Sequence, residues 1–421
     1  MEQRNLLVGY DLSDDFSGIS CFNPKTFEPE SICIGKDPNK FLIPTVVGVK
    51  KDTKEWVYGE DAIALEKDGY GVIVSNLVEK VRLGKEVTVL GSSFSPITLL
   101  EKFLKKTLLL LKIYYPSNSI ERIVITVKEL DKKIVNGIYA ALMSLGIDKD
   151  RAFIQSHDQS YGYYALSQPK ELWMNDVGLF DFNEKGLSYS QINIVRNMAQ
   201  NIVSTTKKDY SEILSYDMLL EGPKERISNV FLNISKSVLH KQIVSTIYVT
   251  GKGFEGDWSD DALIELCKGR RVFKGNNLYT RGACYTAREL ADNPKLSEYI
   301  FLGDEMIKYS LALQGYYNAK SSDIILMKET SNWYDVNEQL YVILDETDCI
   351  NITLRDAWNR NRRSETLKLD GIPKRPNKTT RIEIRLKCLN STTVILTAKD
   401  KGFGELYPSS YRIWEKEIKL S

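Results

Sequence analysis

The chain has 421 residues, with 57 Lys+Arg against 56 Asp+Glu and a formal net charge of +1. Global charge therefore draws it neither to nucleic acid nor to an anionic membrane. Its two histidines and six scattered cysteines, with no CxxC pair, exclude a His-cluster metal centre and a disulfide framework, and predict reduced thiols in a cytoplasmic protein.

In chain order, Asn5–Phe22 (NLLVGYDLSDDFSGISCF) predicts a β-hairpin whose turn follows Asp11. Phe41–Val49 and Glu55–Ala62 predict further strand pairs. Residues 97–115 carry a helical face through Leu99, Leu100, Phe103, Leu104, Leu108 and Leu111. Lys102, Lys105, Lys106 and Lys112 interrupt this stretch, so it does not span a bilayer. Met1–Asn5 lacks the form of a signal peptide. Glu121–Val127 predicts a buried strand, followed by a helix ending at Gly146, a strand in AFIQSHD and a helix in QSYGYYALSQ.

Asp176–Val195 opens a second unit of the same form, a hairpin with an acidic turn. A helical region at about 210–240 follows, then a strand, a Gly-containing turn and a helix start in Gln242–Trp258, then a short strand and a helix in RVFKGNNLYTRGACYTARELAD. Strand–turn–helix units repeated in two halves predict an α/β core. From about Ser322 short alternating segments such as TRIEIRLKCL and TVILTAKD predict an all-β domain. The expected boundaries are 1–320 for the body, with lobes at about 1–175 and 176–320, and 321–421 for the β domain, with Leu313–Asp323 as the linker.

Leu367–Glu405 contains Gly371-Ile372-Pro373, Pro376, Ile382-Glu383-Ile384 and Thr397-Ala398-Lys399-Asp400-Lys401-Gly402. In this order they resemble the β-sandwich substrate domain of the DnaK-type, seventy-kilodalton heat-shock chaperones. The N-terminal part agrees. Gly9-Tyr10-Asp11-Leu12-Ser13 resembles that family's first phosphate loop, Ile43-Pro44-Thr45-Val46-Val47 its following strand, and Val78–Lys85 the segment that places Lys80 at the catalytic-lysine position. Asp181–Ser188 falls on the second phosphate loop, Val249–Glu255 on the adenosine motif, and Gly282-Ala283-Cys284 on the closing helix. The resemblance implies an α/β actin-like ATPase body, ribonuclease H-like in each of two lobes, and a C-terminal β-sandwich without a helical lid. It implies ATP and Mg²⁺ between the lobes. Asp11, Ser13, Asp181, Asn183, Gly251 and Gly253 become the nucleotide-binding candidates, Asp11 and Asp181 the metal candidates, and Lys80, Asp11 and Asp181 the catalytic candidates.

The departures set the functional expectation. A phosphate loop needs glycines for close backbone approach and hydroxyl donors. Here the first loop carries Ser13, Asp14 and Asp15, and the second carries Asn183, Glu184 and Lys185. At an effective dielectric of about 20, one carboxylate 4 Å from a phosphate charge costs roughly 4 kcal/mol. His157 stands where the family has a glutamate near the attacking water, and Glu255 where it has an adenine-stacking arginine. Between Leu187 and Ser245 there is no room for the subdomain that clamps the adenine ring. The expected function is a degenerate ATPase, with no cofactor required, that binds a protein or peptide partner through its β domain. An active divergent ATP-dependent chaperone and an actin-like assembly protein are the alternatives. The Gly251 and Gly253 pair also reads as nothing more than a tight strand-to-helix turn.

Overall fold

In a computed structural model, residues 5–23, 25–35, 40–196, 201–291, 294–317, 320–358 and 361–420 are described. Met1–Arg4, on which the leader reading rests, lie outside them. The chain divides into two units, Met1–Phe301 and Leu302–Ser421. The first is mixed α/β and the second is built of antiparallel sheets. Among the described residues no helix is long and apolar enough to cross a membrane.

Unit one contains the same sheet twice. In the first lobe the strand order is Ala152–Ser156, Ile120–Val127, Leu6–Leu12, Phe16–Asn23, Glu28–Ser31. In the second it is Arg271–Lys274, Val244–Thr250, Asp176–Asn183, Gly186–Arg196, Asn201–Asp209, with Tyr299–Leu302 added at the edge. In both, the first three strands run parallel and the hairpin partner turns back antiparallel. The parallel strands are near-continuous apolar runs because both faces are covered. Val8, Tyr10 and Leu12 are buried in the first lobe, and Phe180 and Phe182 in the second.

Each lobe contributes a helix that packs on the other lobe. His157–Leu166 follows the last strand of lobe one, yet Tyr161, Ala165 and Leu166 pack with Val177, Leu179 and Val203 of lobe two. Leu278–Glu289 follows Arg271–Lys274 of lobe two, yet Ala283 and Ala287 pack on Val124 of lobe one, and Cys284 lies against the Leu7 carbonyl. The two helices cross where a Cβ on Gly282 would stand 2.0 Å from the Ser160 carbonyl oxygen. Likewise a Cβ on Gly9 would stand 2.2 Å from the Thr280 carbonyl oxygen. No side chain fits at either point. This is the physical reason for glycine in both the strand and the helix.

Unit two has two four-stranded antiparallel sheets. One orders Lys320–Met327, Tyr309–Tyr317, Cys349–Asp356, Arg362–Lys368. The other orders Asn337–Ile343, Arg381–Asn390, Thr393–Asp400, Ile413–Lys419. Their inward residues, among them Leu311, Ile352 and Leu354 of one sheet and Ile382, Ile384 and Leu396 of the other, form one apolar core. The expected linker is a correction. Leu313–Asp323 belongs to the first hairpin of this unit, and the unit begins before residue 320. Its Asn318 and Ala319 lie outside the described residues. The hairpin arm reads as a linker because the described residues among 314–323 are largely exposed, and the stretch carries polar and small residues.

Candidate functional site

A cleft of about 430 Å³ lies between the lobes, at the ends of the two hairpins. Asp11 pairs across its sheet with Thr126, and Asp181 with Thr250, so the two aspartates occupy equivalent strand ends. Both line the cleft. The helix after Ala152–Ser156 opens on His157, the helix after Arg271–Lys274 carries Tyr279 as its second residue, and these two rings meet the aspartates. His157 Nε2 lies 2.7 Å from Asp11 Oδ1. The Tyr279 hydroxyl donates to Asp181 Oδ2 at 2.9 Å. The two rings stack, 3.9 Å between centroids and 12° from coplanar. Asp11, His157, Tyr279 and Asp181 thus form a continuous line across the cleft floor.

Tyr279 is half-buried in the cleft floor, and desolvation first, then the charge of Asp181 and its hydrogen bond, push its hydroxyl far above the usual phenol range. It therefore remains a donor at every ordinary pH. Asp181 also accepts from the Asn183 amide at 3.1 Å. Both of its oxygens are engaged before any ligand arrives.

The loops that would surround a phosphate use their polar groups internally. Ser13 Oγ donates to the Phe16 carbonyl. The Lys185 N–H donates to Asn183 Oδ1 at 3.0 Å. Asp14 does not project freely into the cleft as a repelling charge. Its carboxylate accepts from the N–H groups of Val78 at 2.8 Å and Glu79 at 3.2 Å. It thereby caps helix Leu77–Leu83, whose own N-cap residue Asn76 supplies no side-chain bond. Burial raises the Asp14 carboxyl, and these two N–H groups only partly counter it.

Asp11, Ser13, Asp181, Asn183 and Gly251 line the cleft. Gly251 has φ +97, and a Cβ there would stand 2.3 Å from the Phe182 carbonyl oxygen. Gly253 is outside the lining, and a Cβ on it would strike the Phe182 ring at 2.5 Å. The tight-turn reading accounts for both glycines. Lys80 is a correction: its ammonium donates to the Ser75 carbonyl at 2.9 Å, and it does not line the cleft. Arg82, two residues on, does. Two residues turn a helix by about 200°, so a two-place difference exchanges the faces. Arg82 is held by Asp131 and Glu79, each at 2.9 Å.

Sequence reasoning missed Tyr279, Arg82 and Lys252 as cleft residues. The one available signal was the repeat itself, since an aromatic ring stands in the first turn of the helix after Ala152–Ser156 and of the helix after Arg271–Lys274. Among the described residues no group of three or more His, Cys, Asp or Glu side chains is placed to hold a metal ion.

The family described as "Family of unknown function (DUF5716) C-terminal" matches residues 28–304, which is more than half of the chain. The chain belongs to this family. A second match, "Domain of unknown function (DUF8552)", covers residues 306–420. The border between the two matches falls close to the division between the two units. No curated protein matches the chain.

Proposed function

We propose that this DUF5716 family member is a degenerate actin-like ATPase, related to the seventy-kilodalton heat-shock chaperones. In this reading the body no longer turns over ATP, and the C-terminal β unit recognises a protein or peptide partner in the cytoplasm. The duplicated sheets, the exchanged helices and the cleft between equivalent aspartates support the actin-like assignment. One shared apolar core between two antiparallel sheets supports the chaperone-like one.

The observation that carries the loss of activity is the engagement of Asp11 by His157 and of Asp181 by Tyr279 and Asn183. Phosphoryl transfer relies on positioning and on stabilising developing charge. Here the carboxylates that would position a metal or water are committed to internal donors. Asp15 and Glu184 add negative charge at the cleft. These residues do not fit Mg-ATP.

Six free cysteines support a reducing compartment. Exposed Tyr316, Tyr317, Leu406 and Tyr411 support a protein-binding role for the β unit. Calorimetric titration with Mg-ATP, paired with a phosphate-release assay, tests the reading. The expected result is no saturable binding and no turnover above buffer. A dissociation constant of about 1 μM or tighter, roughly −8 kcal/mol, or ATP-dependent phosphate release, overturns it.

A further inference from the structure

An edge strand presents unpaired N–H and C=O groups, and folded proteins blunt such edges with charge, proline or brevity. Of the four edge strands in unit two, Arg362–Lys368 carries Arg362, Arg363, Glu365 and Lys368, and Ile413–Lys419 carries Glu415, Lys416, Glu417 and Lys419. These two edges are also tied to each other, because Lys416 donates to the Thr366 carbonyl at 2.9 Å and pairs with Glu365 at 2.8 Å. Lys320–Met327 carries Lys320 and Asp323. Asn337–Ile343 (NEQLYVI) is different. Its seven residues hold one charge, Glu338, and neither proline nor glycine. Among the described residues it pairs with Arg381–Asn390 alone. Tyr341 and Ile343 are half exposed, and even Leu340 and Val342, which face the core, are only partly buried.

The neighbouring strand supplies charge of one sign. Ile343 lies opposite Arg381, Gln339 opposite Arg385 and Asn337 opposite Lys387, so these side chains share the outer face of the sheet with Tyr341. Glu383, opposite Tyr341, is buried and already paired with Arg385 and Lys401. Lys399, opposite Glu383 on the next strand, adds a further cation. The other carboxylates of this face, Glu415 and Glu417, stand on the far edge. The Arg381 guanidinium lies over the Tyr341 ring, 5.7 Å from its centre, and so reaches from the second strand onto the edge strand. Among the described residues Arg381 and Lys387 have no carboxylate partner.

We propose that Asn337–Ile343 takes up an extended, acidic segment of a protein partner as an added strand, whose outward carboxylates are bound by Arg381 and Lys387. The edge offers alternating backbone donors and acceptors to a neighbour about 4.8 Å away, a pattern that a peptide strand matches and a nucleic acid does not. A second copy of the chain would bring its own Arg381 and Lys387 towards this edge, so charge selects an acidic partner over self-pairing. The inference rests on the reading of the β unit as a partner-binding module and makes no use of the loss of ATP turnover.

The test uses the full chain without nucleotide and a fluorescein-labelled peptide of alternating Thr and Glu. At about 3.3 Å per residue, a peptide of about ten residues covers the whole edge. Fluorescence anisotropy reads binding. The expected result is saturable binding that weakens as salt rises and falls about tenfold in each of Arg381→Glu and Lys387→Glu. Both side chains are exposed, so the variants keep the fold, and circular dichroism checks this. The same peptide methylated at its backbone nitrogens keeps its charge, loses its donors and does not bind. Absence of saturable binding below about 1 mM overturns the proposal. So does equal binding of the methylated peptide or of an alternating Thr–Lys peptide, tighter binding of single-stranded RNA, or a dimer held through this edge that excludes the peptide. Binding of the Thr–Glu peptide that is unchanged in both variants overturns the edge site and leaves the β unit as a partner-binding module.

Discussion

The two lobes place the same side chain at the same strand end and then hold it differently. Asp11 pairs with a histidine and Asp181 with a tyrosine, and the two partners come from helices that have changed lobes. Among the described residues, the Asp11 carboxylate has one side-chain hydrogen-bond partner and Asp181 has two. The first loop reaches out to cap a helix of its own lobe, whereas the second closes in a two-residue turn between Asn183 and Gly186. Duplication therefore preserves backbone positions more faithfully than chemistry. Each half of the cleft supplies a partner to its own carboxylate.

The largest effect should come from the element that makes the lobes interdependent. Gly282→Val drives a side chain into the Ser160 backbone, which cannot yield as a side chain would. Overpacking usually costs about 1–3 kcal/mol, and more where backbone is struck. We expect no cooperative unfolding transition from unit one, measured by urea denaturation followed by circular dichroism. Gly275→Ala is the control. Its nearest neighbour, a side-chain oxygen of Asn277, is 3.7 Å from the added carbon, so its midpoint should stay near that of the wild type.

A carboxylate in unit two shows what full commitment looks like. Asp400 has no exposed surface and receives both guanidinium nitrogens of Arg375, at 2.8 and 2.7 Å, together with Ser410 and the Gly402 N–H. Burial alone would raise its carboxyl, but these donors hold it well below the ordinary range. Asp400→Ala strands a buried guanidinium and should cost unit two about 3–5 kcal/mol, read as a lowered melting temperature. Because the folded value is depressed, this stability is present above the unfolded carboxyl value and declines as pH falls toward the folded one.

Between the lobes the contrast is finer. His157→Ala removes both the Asp11 contact and the stack, and should cost about 2 kcal/mol. Tyr279→Phe keeps the stack and leaves Asn183 on Asp181, and should cost about 1 kcal/mol. Equal losses would mean that the two aspartates are held alike, and would erase the difference between the lobes. Smallest is the pH effect of Asp14. Its folded value is raised, so it favours folding at low pH, and that contribution is lost as pH rises from the unfolded value through the folded one. Asp14→Asn keeps the cap and should flatten that slope in urea melts, opposite in sign to the slope from Asp400.

Much of the fold was legible because it is local. Alternation and β-branching marked TRIEIRLKCL and TVILTAKD, and the apolar–Asp–turn pattern marked both hairpins, since strand period and turn chemistry act over a few residues. Gly282 was legible as a helix glycine, although its purpose lies in a helix more than a hundred residues away. The hairpin arm at Leu313–Asp323 was misread because an exposed ribbon and a linker share the same composition. The cleft was half legible. Asp11 and Asp181 end strands, and strand ends can be read, whereas the directions of Lys80 and Arg82 depend on how a short helix is rotated against its neighbours. The capping role of Asp14 depends on Val78, 64 residues away. The His157–Tyr279 stack exists only after two helices have crossed, and no spacing along the chain encodes it.

The helix exchange also constrains how the protein is made. Leu7 and Val124 are synthesised early, yet the surface that covers them belongs to Leu278–Glu289. Until that helix leaves the ribosome, the first lobe carries an open apolar groove with Gly9 at its base. Synthesis proceeds at about 5–20 residues per second, so the groove stays uncovered for many seconds on every chain produced. During this interval the nascent first lobe exposes apolar surface that the finished protein hides.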